Sequence, residues 1–281
     1  MKKASDLQKW LSEYRRGWQK SVGFVPTMGA LHQGHLALVQ RSMQENELTC
    51  CSIYVNPTQF NDADDLANYP RPLESDIRLL AEVGCQLLFL PDDEEIYPTG
   101  KQHLHQYPLY PLDQVLEGAC RPGHFQGVAN VVDRLLHLVQ PDVLYLGQKD
   151  FQQVKVIERL LTYRNYQVRL VMCPTVRDLG GLALSSRNVR LSAEQRQLAT
   201  QIWKELTWIE NYGLNYPLQE VRSQVIRRLN ALPETKVDYL ECCLADRFIP
   251  IDQWPKGEKV VWVTAVTIGG VRLLDNVLMA T

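Results

Sequence analysis

The sequence PTMGALHQGH, residues 26–35, joins an apolar stretch at residues 21–25 to the start of a helical pattern. The apolar stretch predicts a short buried strand, and the spacing of Leu36, Leu38 and Val39 predicts the buried face of a helix. In an open α/β sheet, ligands bind at the carboxyl ends of the strands, and this turn lies at such an end. We therefore expect an α/β fold with a ligand-binding turn after its first strand.

This turn contains the residue types that hold a polyphosphate. Gly29 and Gly34 allow the backbone to approach a ligand closely, and the helix start offers unpaired N–H groups and a positive dipole end. His32 and His35 add two imidazole donors. In an arbitrary loop, His32 would be a surface residue and His35 a helix cap, but the glycines and the strand-turn-helix context favour phosphate binding. No Gly-x4-Gly-Lys-Ser/Thr sequence occurs, so the turn is not a P-loop.

Strand and helix signals alternate beyond this turn. Strands are predicted at residues 48–55, 86–90, 143–146 and 167–172, and helices at residues 72–83, 128–139 and 151–163. Such alternation is typical of a doubly wound parallel sheet. We expect a Rossmann-like α/β domain over residues 1–175.

The pattern changes after Pro174. Helices are predicted at residues 193–208 and 218–229, followed by strands at residues 237–242, 260–266 and 271–274. Gly269 and Gly270 lie between the last two strands and are a hairpin signal. We expect a smaller α+β domain over residues 176–281.

Composition limits the classes of function. The 281 residues include 30 basic and 32 acidic side chains, and the net charge of −2 gives no general attraction to nucleic acid or anionic membranes. Residues 4–16 predict an amphipathic helix without the apolar core of a secretory signal, and no apolar run reaches the roughly 18 residues of a spanning helix. Seven cysteines without a Cys-x2-Cys pair predict reduced thiols. We expect a cytoplasmic protein that binds neither nucleic acid nor membranes.

Polar side chains also follow two other predicted strands. Asn56 and Gln59 follow residues 48–55 and suit the hydroxyl or carboxylate groups of a substrate, although such a segment alone is more often an Asx turn. After residues 143–146, Lys149 is a cation for phosphate, and Asp150 can accept from ribose hydroxyls or cap the next helix. Gln153, in the first turn of that helix, could face the same cleft as Gln59.

A third polar segment begins the second predicted domain. Ser185, Ser186 and Arg187 follow a glycine-containing stretch, and two hydroxyls beside a guanidinium can close on a triphosphate. A helix cap would need only one serine, but loops of this composition are common. The segment therefore predicts a lid only in combination with the other three.

The four segments together resemble the pantoate–β-alanine ligase family, within the nucleotidylyltransferase superfamily. Further matches over nearly the whole chain are NYPR at residues 68–71, LEG at 116–118, RPGHFQGV at 121–128 and LDN at 274–276. The resemblance implies an ATP-dependent ligation. In such a reaction pantoate would attack the α-phosphorus of ATP, giving pantoyl adenylate and pyrophosphate, and the amine of β-alanine would then displace AMP to give pantothenate.

The resemblance also assigns roles to residues of this chain. His32, His35 and Lys149 would stabilise charge on the phosphates during adenylation. Gln59 and Gln153 would bind pantoate, with Asn56 beside them and Gln59 also near β-alanine. Mg²⁺ would bind as a complex with ATP, and Asp76 is a candidate for an outer contact to the metal. The residues that would bind ATP are Met28, Gly29, Ala30, Leu31, His32, Gln33, Gly34, His35, Gly147, Gln148, Lys149, Asp150, Val176, Leu184, Ser185, Ser186 and Arg187.

Two departures and two alternatives accompany this interpretation. Gln148 stands where many members carry glutamate, and Gly180-Gly181 where many carry Asp-Gly, so we expect altered loop mobility or ATP affinity without loss of chemistry. The resemblance also implies a homodimer formed through the first domain. A nucleotidylyltransferase acting on a phosphorylated alcohol would share His32 and His35 but would not need the glutamine pair. A non-enzymatic nucleotide sensor would bind ATP without releasing pyrophosphate.

Overall fold

The computed structural model describes residues 1–16 and 20–281. These residues form two compact units, Met1–Gly147 with Gln152–Cys173, and Gln148–Phe151 with Pro174–Thr281. The short segment Gln148–Phe151 is therefore grouped with the second unit, although the sequence around it belongs to the first. The predicted domain ranges, 1–175 and 176–281, differ from these units at that segment and at residues 174–175.

A parallel sheet forms the centre of the first unit. Its strands are β1 (Val22–Thr27), β2 (Leu48–Ile53), β3 (Leu87–Phe89), β4 (Val143–Gly147) and β5 (Arg169–Cys173). They pair in the order β3-β2-β1-β4-β5, and each pairing is parallel. The strand order reverses between β1 and β4, so the carboxyl ends of these two strands border the switch point at which such sheets bind ligands.

One helix precedes these strands and the others connect them. They are α1 (Ala4–Arg15), α2 (Gln33–Glu45), α3 (Ala63–Ala67), α4 (Leu73–Glu82), α5 (Asp93–Ile96), α6 (Glu117–Cys120), α7 (His124–Val139) and α8 (Phe151–Tyr163). Most of β1 and β2 is buried, as expected for central strands of a parallel sheet covered on both faces. Helix α7 begins four residues before its predicted start, because Gly123 adopts a left-handed conformation (φ +81°) that starts the helix at the next residue.

The second unit is built on an antiparallel sheet. Its elements are α9 (Ala193–Tyr212), α10 (Leu218–Asn230), β6 (Thr235–Leu244), β7 (Ile249–Pro250), β8 (Lys259–Ile268) and β9 (Val271–Ala280). The strands pair in the order β7-β6-β8-β9, and α9 and α10 pack on the sheet around the buried Trp262. Gly269 and Gly270 both have positive φ, +54° and +78°, as the predicted two-residue hairpin requires.

The predicted fold class is confirmed: a Rossmann-like doubly wound parallel sheet is followed by a smaller α+β unit. All seven cysteines are free, and five of them are buried. Burial raises the pKa of these thiols, for Cys243 to about 12, so they remain protonated and unreactive. In the part of the chain that the structure describes, no helix is both long and apolar enough to cross a membrane.

Candidate active site

The turn between β1 and α2 is held open in a left-handed conformation. Gly29 and Ala30 have φ of +80° and +49°. The Thr27 hydroxyl donates to the Ser52 carbonyl at 2.7 Å and accepts from the Gly29 N–H at 3.2 Å, which ties the end of β1 to the neighbouring strand. A non-glycine residue such as Ala30 adopts this conformation only when its surroundings hold it there.

Asp76 of α4 provides that hold. Its two carboxylate oxygens accept the N–H groups of Ala30 and Leu31 at 2.8 and 2.7 Å, and the residue is only 1% exposed. A Cβ added to Gly29 would lie 3.0 Å from both the Asp76 carboxylate and the Ile53 side chain. The sequence predicted Asp76 only as an outer contact for Mg²⁺, whereas in the structure both of its carboxylate oxygens bind backbone N–H groups of the turn.

The two histidines cap α2 reciprocally. His32 Nδ1 accepts from the Gly34 N–H at 3.1 Å, and His35 Nδ1 accepts from the His32 N–H at 3.3 Å. The half-buried rings lie with centroids 4.1 Å apart. Because Nδ1 accepts in both rings, each neutral imidazole carries its proton on Nε2. Helix capping thus fixes the tautomer in which Nε2 is the hydrogen-bond donor of both rings.

Gln59 joins the segment after β2 to this turn. It ends a 3-10 turn, Pro57–Gln59, and is 8% exposed. Its Nε2 donates to Met28 Sδ at 3.2 Å, and its Oε1 accepts from Asn56 Nδ2 at 3.0 Å. The structure therefore brings together two of the predicted site segments, residues 26–35 and residues 56–59.

Asn56 is engaged entirely within the protein. It is 1% exposed, and besides Gln59 its Nδ2 reaches the Gly127 carbonyl at 3.2 Å. Its Oδ1 accepts from the hydroxyls of Tyr97 at 2.6 Å and Thr58 at 3.0 Å. Burial raises the pKa of Tyr97 to about 12, so its phenol stays a donor at neutral pH. In this geometry Asn56 orients the Gln59 amide.

The start of α7 supports the backbone of Gln59. His124 Nδ1 donates to the Gln59 carbonyl at 2.7 Å, and Arg121 Nη2 donates to the same oxygen at 3.2 Å. A Cβ on Gly127 would lie 2.4 Å from the Thr58 carbonyl, so only glycine permits this approach. Arg121 and His124 both belong to the RPGHFQGV match at residues 121–128, and in the structure both hold the Gln59 carbonyl.

Two adjacent glutamines at the start of α8 differ in their surroundings. Gln152 is 5% exposed, donates to the carbonyls of Leu112 and Val115, and accepts from the Glu117 N–H. Gln153 is half-buried in the first helical turn, and within residues 1–16 and 20–281 no hydrogen bond joins it to Gln59. The shared cleft of the two predicted pantoate ligands, Gln59 and Gln153, stays a prediction.

The turn after β4 begins in open space. A Cβ on Gly147 would meet no atom within 4 Å, which leaves this backbone accessible to a ligand. In the second unit, Lys149 Nζ lies 3.4 Å from Asp150 Oδ1, and the lysine side chain is 19% exposed against 45% for the aspartate. Gln148 Nε2 donates to Asn276 Oδ1 at 3.1 Å, a donation that a glutamate carboxylate could not make.

The predicted lid segment is an ordered loop of the second unit. The Leu184 N–H donates to the Val176 carbonyl at 3.0 Å, which closes the base of the loop. The Ser185 hydroxyl accepts from the Arg187 N–H at 3.3 Å and caps the 3-10 helix Ser186–Arg190. Ser185 therefore has the capping role that sequence reasoning weighed against phosphate binding, while Ser186 and Arg187 follow it in the helix.

The glycine pair in this loop has a packing role. Gly181 has φ of +92°, and a Cβ there would lie 2.4 Å from Trp203 Cδ1. The N–H groups of Gly180 and Leu182 donate to Asp178 Oδ1 at 2.9 and 3.0 Å. The departure from Asp-Gly to Gly-Gly thus falls in a turn held by Asp178.

Comparisons with known proteins show which family this chain belongs to. The family model described as pantoate-beta-alanine ligase matches residues 1–278. A pantothenate synthetase of Cytophaga hutchinsonii is 43% identical over 275 residues, covering 97% of this chain and 96% of that protein. The crystal structure of pantothenate synthetase from Thermus thermophilus is 41% identical with a TM-score of 0.89, covering 99% of this chain and 98% of that one.

A third relative has ligands bound. The pantoate-beta-alanine ligase of Francisella tularensis, in a complex described as containing beta-gamma ATP and beta-alanine, is 35% identical with a TM-score of 0.80. The match covers 99% of this chain and 96% of that one.

The switch-point turn and the doubly wound sheet define a Rossmann-like nucleotide-binding enzyme. The chain belongs to the pantoate–β-alanine ligase family and is a ligase of pantothenate biosynthesis, a family for which ATP is a substrate. The alternative of a nucleotidylyltransferase acting on a phosphorylated alcohol has no support from these relatives.

Proposed function

We propose that this chain condenses pantoate with β-alanine through a pantoyl adenylate, and that the residues around the β1–α2 turn carry the first step. The observation that carries the proposal is the contact between Gln59 and Met28. This contact supports the proposal because the Gln59 amide, proposed to bind pantoate, adjoins the turn proposed to bind ATP, and an attack of the carboxylate on the α-phosphorus needs the two substrates close together.

The first step transfers AMP to the substrate. A pantoate carboxylate oxygen forms a bond to the α-phosphorus, the bond from that phosphorus to the bridging oxygen breaks, and pyrophosphate leaves. The Nε2–H groups of His32 and His35 and the ammonium of Lys149 stabilise the charge on the phosphates. Positioned donors at developing charge usually contribute more than proton transfer does, and the Nδ1 contacts support the donor tautomer of both rings.

The second step releases AMP. The amine of β-alanine, after losing a proton from its ammonium form, attacks the acyl carbon. The bond from that carbon to the adenylate oxygen breaks and the nitrogen loses a second proton to solvent, giving an amide and AMP. Gln59 and Gln153 hold the pantoyl group in both steps, and Asn56 acts through Gln59 because its own amide is engaged within the protein.

We propose that ATP enters as its Mg²⁺ complex. Within residues 1–16 and 20–281 no three histidine, cysteine, aspartate or glutamate side chains form a metal site. Mg²⁺ usually keeps several waters and binds phosphate oxygens, so a dedicated protein cage is not needed for it. The adenosine part would lie along the backbone of Gly147 and Val176, and the ribose near Asp150. Ser186 and Arg187 would contact the leaving phosphates.

The cellular setting is also a proposal. Reduced, buried cysteines and a near-neutral net charge fit a cytoplasmic enzyme whose partners are small molecules.

Family resemblance supports a homodimer formed through the first unit. Analytical ultracentrifugation at micromolar concentration would detect that dimer, and a monomer of 32.3 kDa over the whole concentration range would contradict it.

The test follows pyrophosphate and AMP after mixing the protein with ATP, Mg²⁺ and pantoate. We expect one equivalent of pyrophosphate per protein without β-alanine, and continuous turnover to AMP and pantothenate with it. His35→Asn can keep a short acceptor for the His32 N–H but removes the Nε2 donor, so the pyrophosphate burst should slow by about 100-fold. The matched control is His137→Ala, at an exposed position late in α7. Absence of pantoate-dependent pyrophosphate from the wild-type protein would refute the proposal.

A further inference from the structure

Asn276 of β9 is buried on the face of the strand that is otherwise half-exposed. Successive strand residues point to opposite faces, and Arg272, Leu274 and Leu278 on the face of Asn276 are all half-buried. Asn276 itself is 2% exposed. The turn Gln148–Asp150 covers it, and this explains why a polar side chain is buried at this position.

The amide of Asn276 makes three hydrogen bonds to this turn. Its Nδ2 donates to the carbonyl oxygens of Gln148 and Lys149, both at 2.9 Å. Its Oδ1 accepts from Gln148 Nε2 at 3.1 Å. Backbone carbonyls can only accept, so the orientation of the Asn276 amide is fixed by its partners.

The residue before Asn276 holds the other proposed ATP-binding segment of the second unit. The carboxylate of Asp275 accepts from Nη1 and Nη2 of Arg177 at 2.6 and 2.8 Å. The Cζ atom of Arg177 lies 3.5 Å from the centroid of the Trp203 ring. The Asn276 N–H donates to Asp275 Oδ1 at 2.8 Å. Two consecutive residues of β9 therefore hold the turn that contains Lys149 and the base of the loop that begins at Val176.

We propose that Asn276 is a positioning residue for adenylation, which holds the backbone of Gln148 and Lys149 and thereby aims the Lys149 ammonium at the phosphates of ATP. The inference rests on the role proposed above for Lys149. Asn276 itself contacts no reacting atom. It acts by fixing the two peptide groups from which the lysine side chain extends, and a displacement of about 1 Å in such a group can cost a large part of the rate.

Asparagine is the side chain that this arrangement requires. Aspartate has nearly the same shape and could still accept from Gln148 Nε2, but it would set a carboxylate oxygen against two carbonyl oxygens at 2.9 Å. Asn276→Asp therefore preserves packing and reverses the electrostatics of the contact. A role limited to packing predicts little change in this variant, whereas a positioning role predicts a slower adenylation step.

The experiment is a double-mutant cycle of Asn276→Asp and Lys149→Met, read by the pantoate-dependent pyrophosphate burst. We expect Asn276→Asp to slow the burst by about tenfold or more in the wild-type background, and to change it by less than about twofold when Lys149 is already methionine. Thr264→Val is the control, because it removes a partly buried hydrogen bond from β8, beside Asp275, without touching the turn. Its small effect should be the same in both backgrounds.

Effects of Asn276→Asp that multiply with those of Lys149→Met would overturn the proposal, since they would show that the two residues act independently. If Asn276→Asp is unfolded, the cycle is run with Asn276→Ser, whose single hydroxyl cannot bond both carbonyls. If the wild-type protein gives no burst, the proposed function fails, and the same cycle is measured as the affinity for a non-hydrolysable ATP analogue by calorimetry. Coupling in that assay supports the positioning role, and independent effects on affinity overturn it.

Discussion

Replacing Asp76 by asparagine tests how the β1–α2 turn is held. The carboxylate accepts one N–H at each oxygen, from Ala30 at 2.8 Å and from Leu31 at 2.7 Å, inside a residue that is 1% exposed. The asparagine side chain would offer one acceptor and one NH₂ group, so one backbone N–H would face another donor. The left-handed conformation of Ala30 would then lose half of its support.

The magnitude follows from these two bonds. A hydrogen bond to a charged group contributes about 1.5–3 kcal/mol, and one of the two is lost while the other becomes neutral. Removing a buried charge offsets part of the loss, which leaves a destabilisation of about 2 kcal/mol. For a unit of this size that corresponds to a fall in Tm of about 4–8 °C. Since the turn carries both histidines, kcat/KM for ATP should fall by about 100-fold.

The stability measurement is made on the protein without ATP and Mg²⁺, by thermal and urea unfolding followed by circular dichroism. Glu82→Gln is the matched control, since it removes one negative charge from an exposed position of α4. An Asp76→Asn protein that unfolds within about 0.5 kcal/mol of wild type and loses only its dependence on Mg²⁺ would refute the reasoning. That result would assign Asp76 to the metal, as an outer contact, and not to the turn.

Three further outcomes are expected. Gly127→Ala places a methyl group 2.4 Å from the Thr58 carbonyl, so it should displace the Gln59 turn. KM for pantoate should then rise by about tenfold with little change in KM for ATP. Equal changes in the two KM values would contradict this assignment. Gly181→Ala, at φ of +92° against Trp203, should raise KM for ATP and lower Tm by several degrees, and unchanged calorimetric unfolding would exclude the clash. Burial raises the pKa of Glu241, so its charged form is disfavoured in the folded state. The free energy of unfolding of the wild-type protein, relative to that of Glu241→Gln, should therefore fall as pH rises above the ordinary pKa of 4.5. An increase of this relative free energy with pH would contradict the prediction.

Hydrophobic periodicity predicted the longer elements because their burial is regular. The structure confirms α8 at its predicted bounds, Phe151–Tyr163, and extends α9 from the predicted residue 208 to Tyr212. Short helices such as α3 and α5 were not predicted. The acidic segment that forms α5 has the composition of a solvated loop, and its helix is started by the Asp92 side chain, which accepts the Glu95 N–H. A single turn has too few residues to show a period.

The sequence by itself determined the fold class, the family and the chemical types at the proposed site, because hydrophobic periods and local motifs are properties of neighbouring residues. In the sequence, glycines and histidines follow the strand β1, and a lysine follows the strand β4. Tertiary structure decided what holds these groups: Asp76 beneath the histidine turn, His124 on the Gln59 carbonyl, and Asn276 on the carbonyls of Gln148 and Lys149. These bonds join residues distant in the sequence, and a buried backbone N–H or carbonyl accepts any suitable partner that the fold brings within about 3 Å. The identity of that partner is therefore fixed only when the chain has folded.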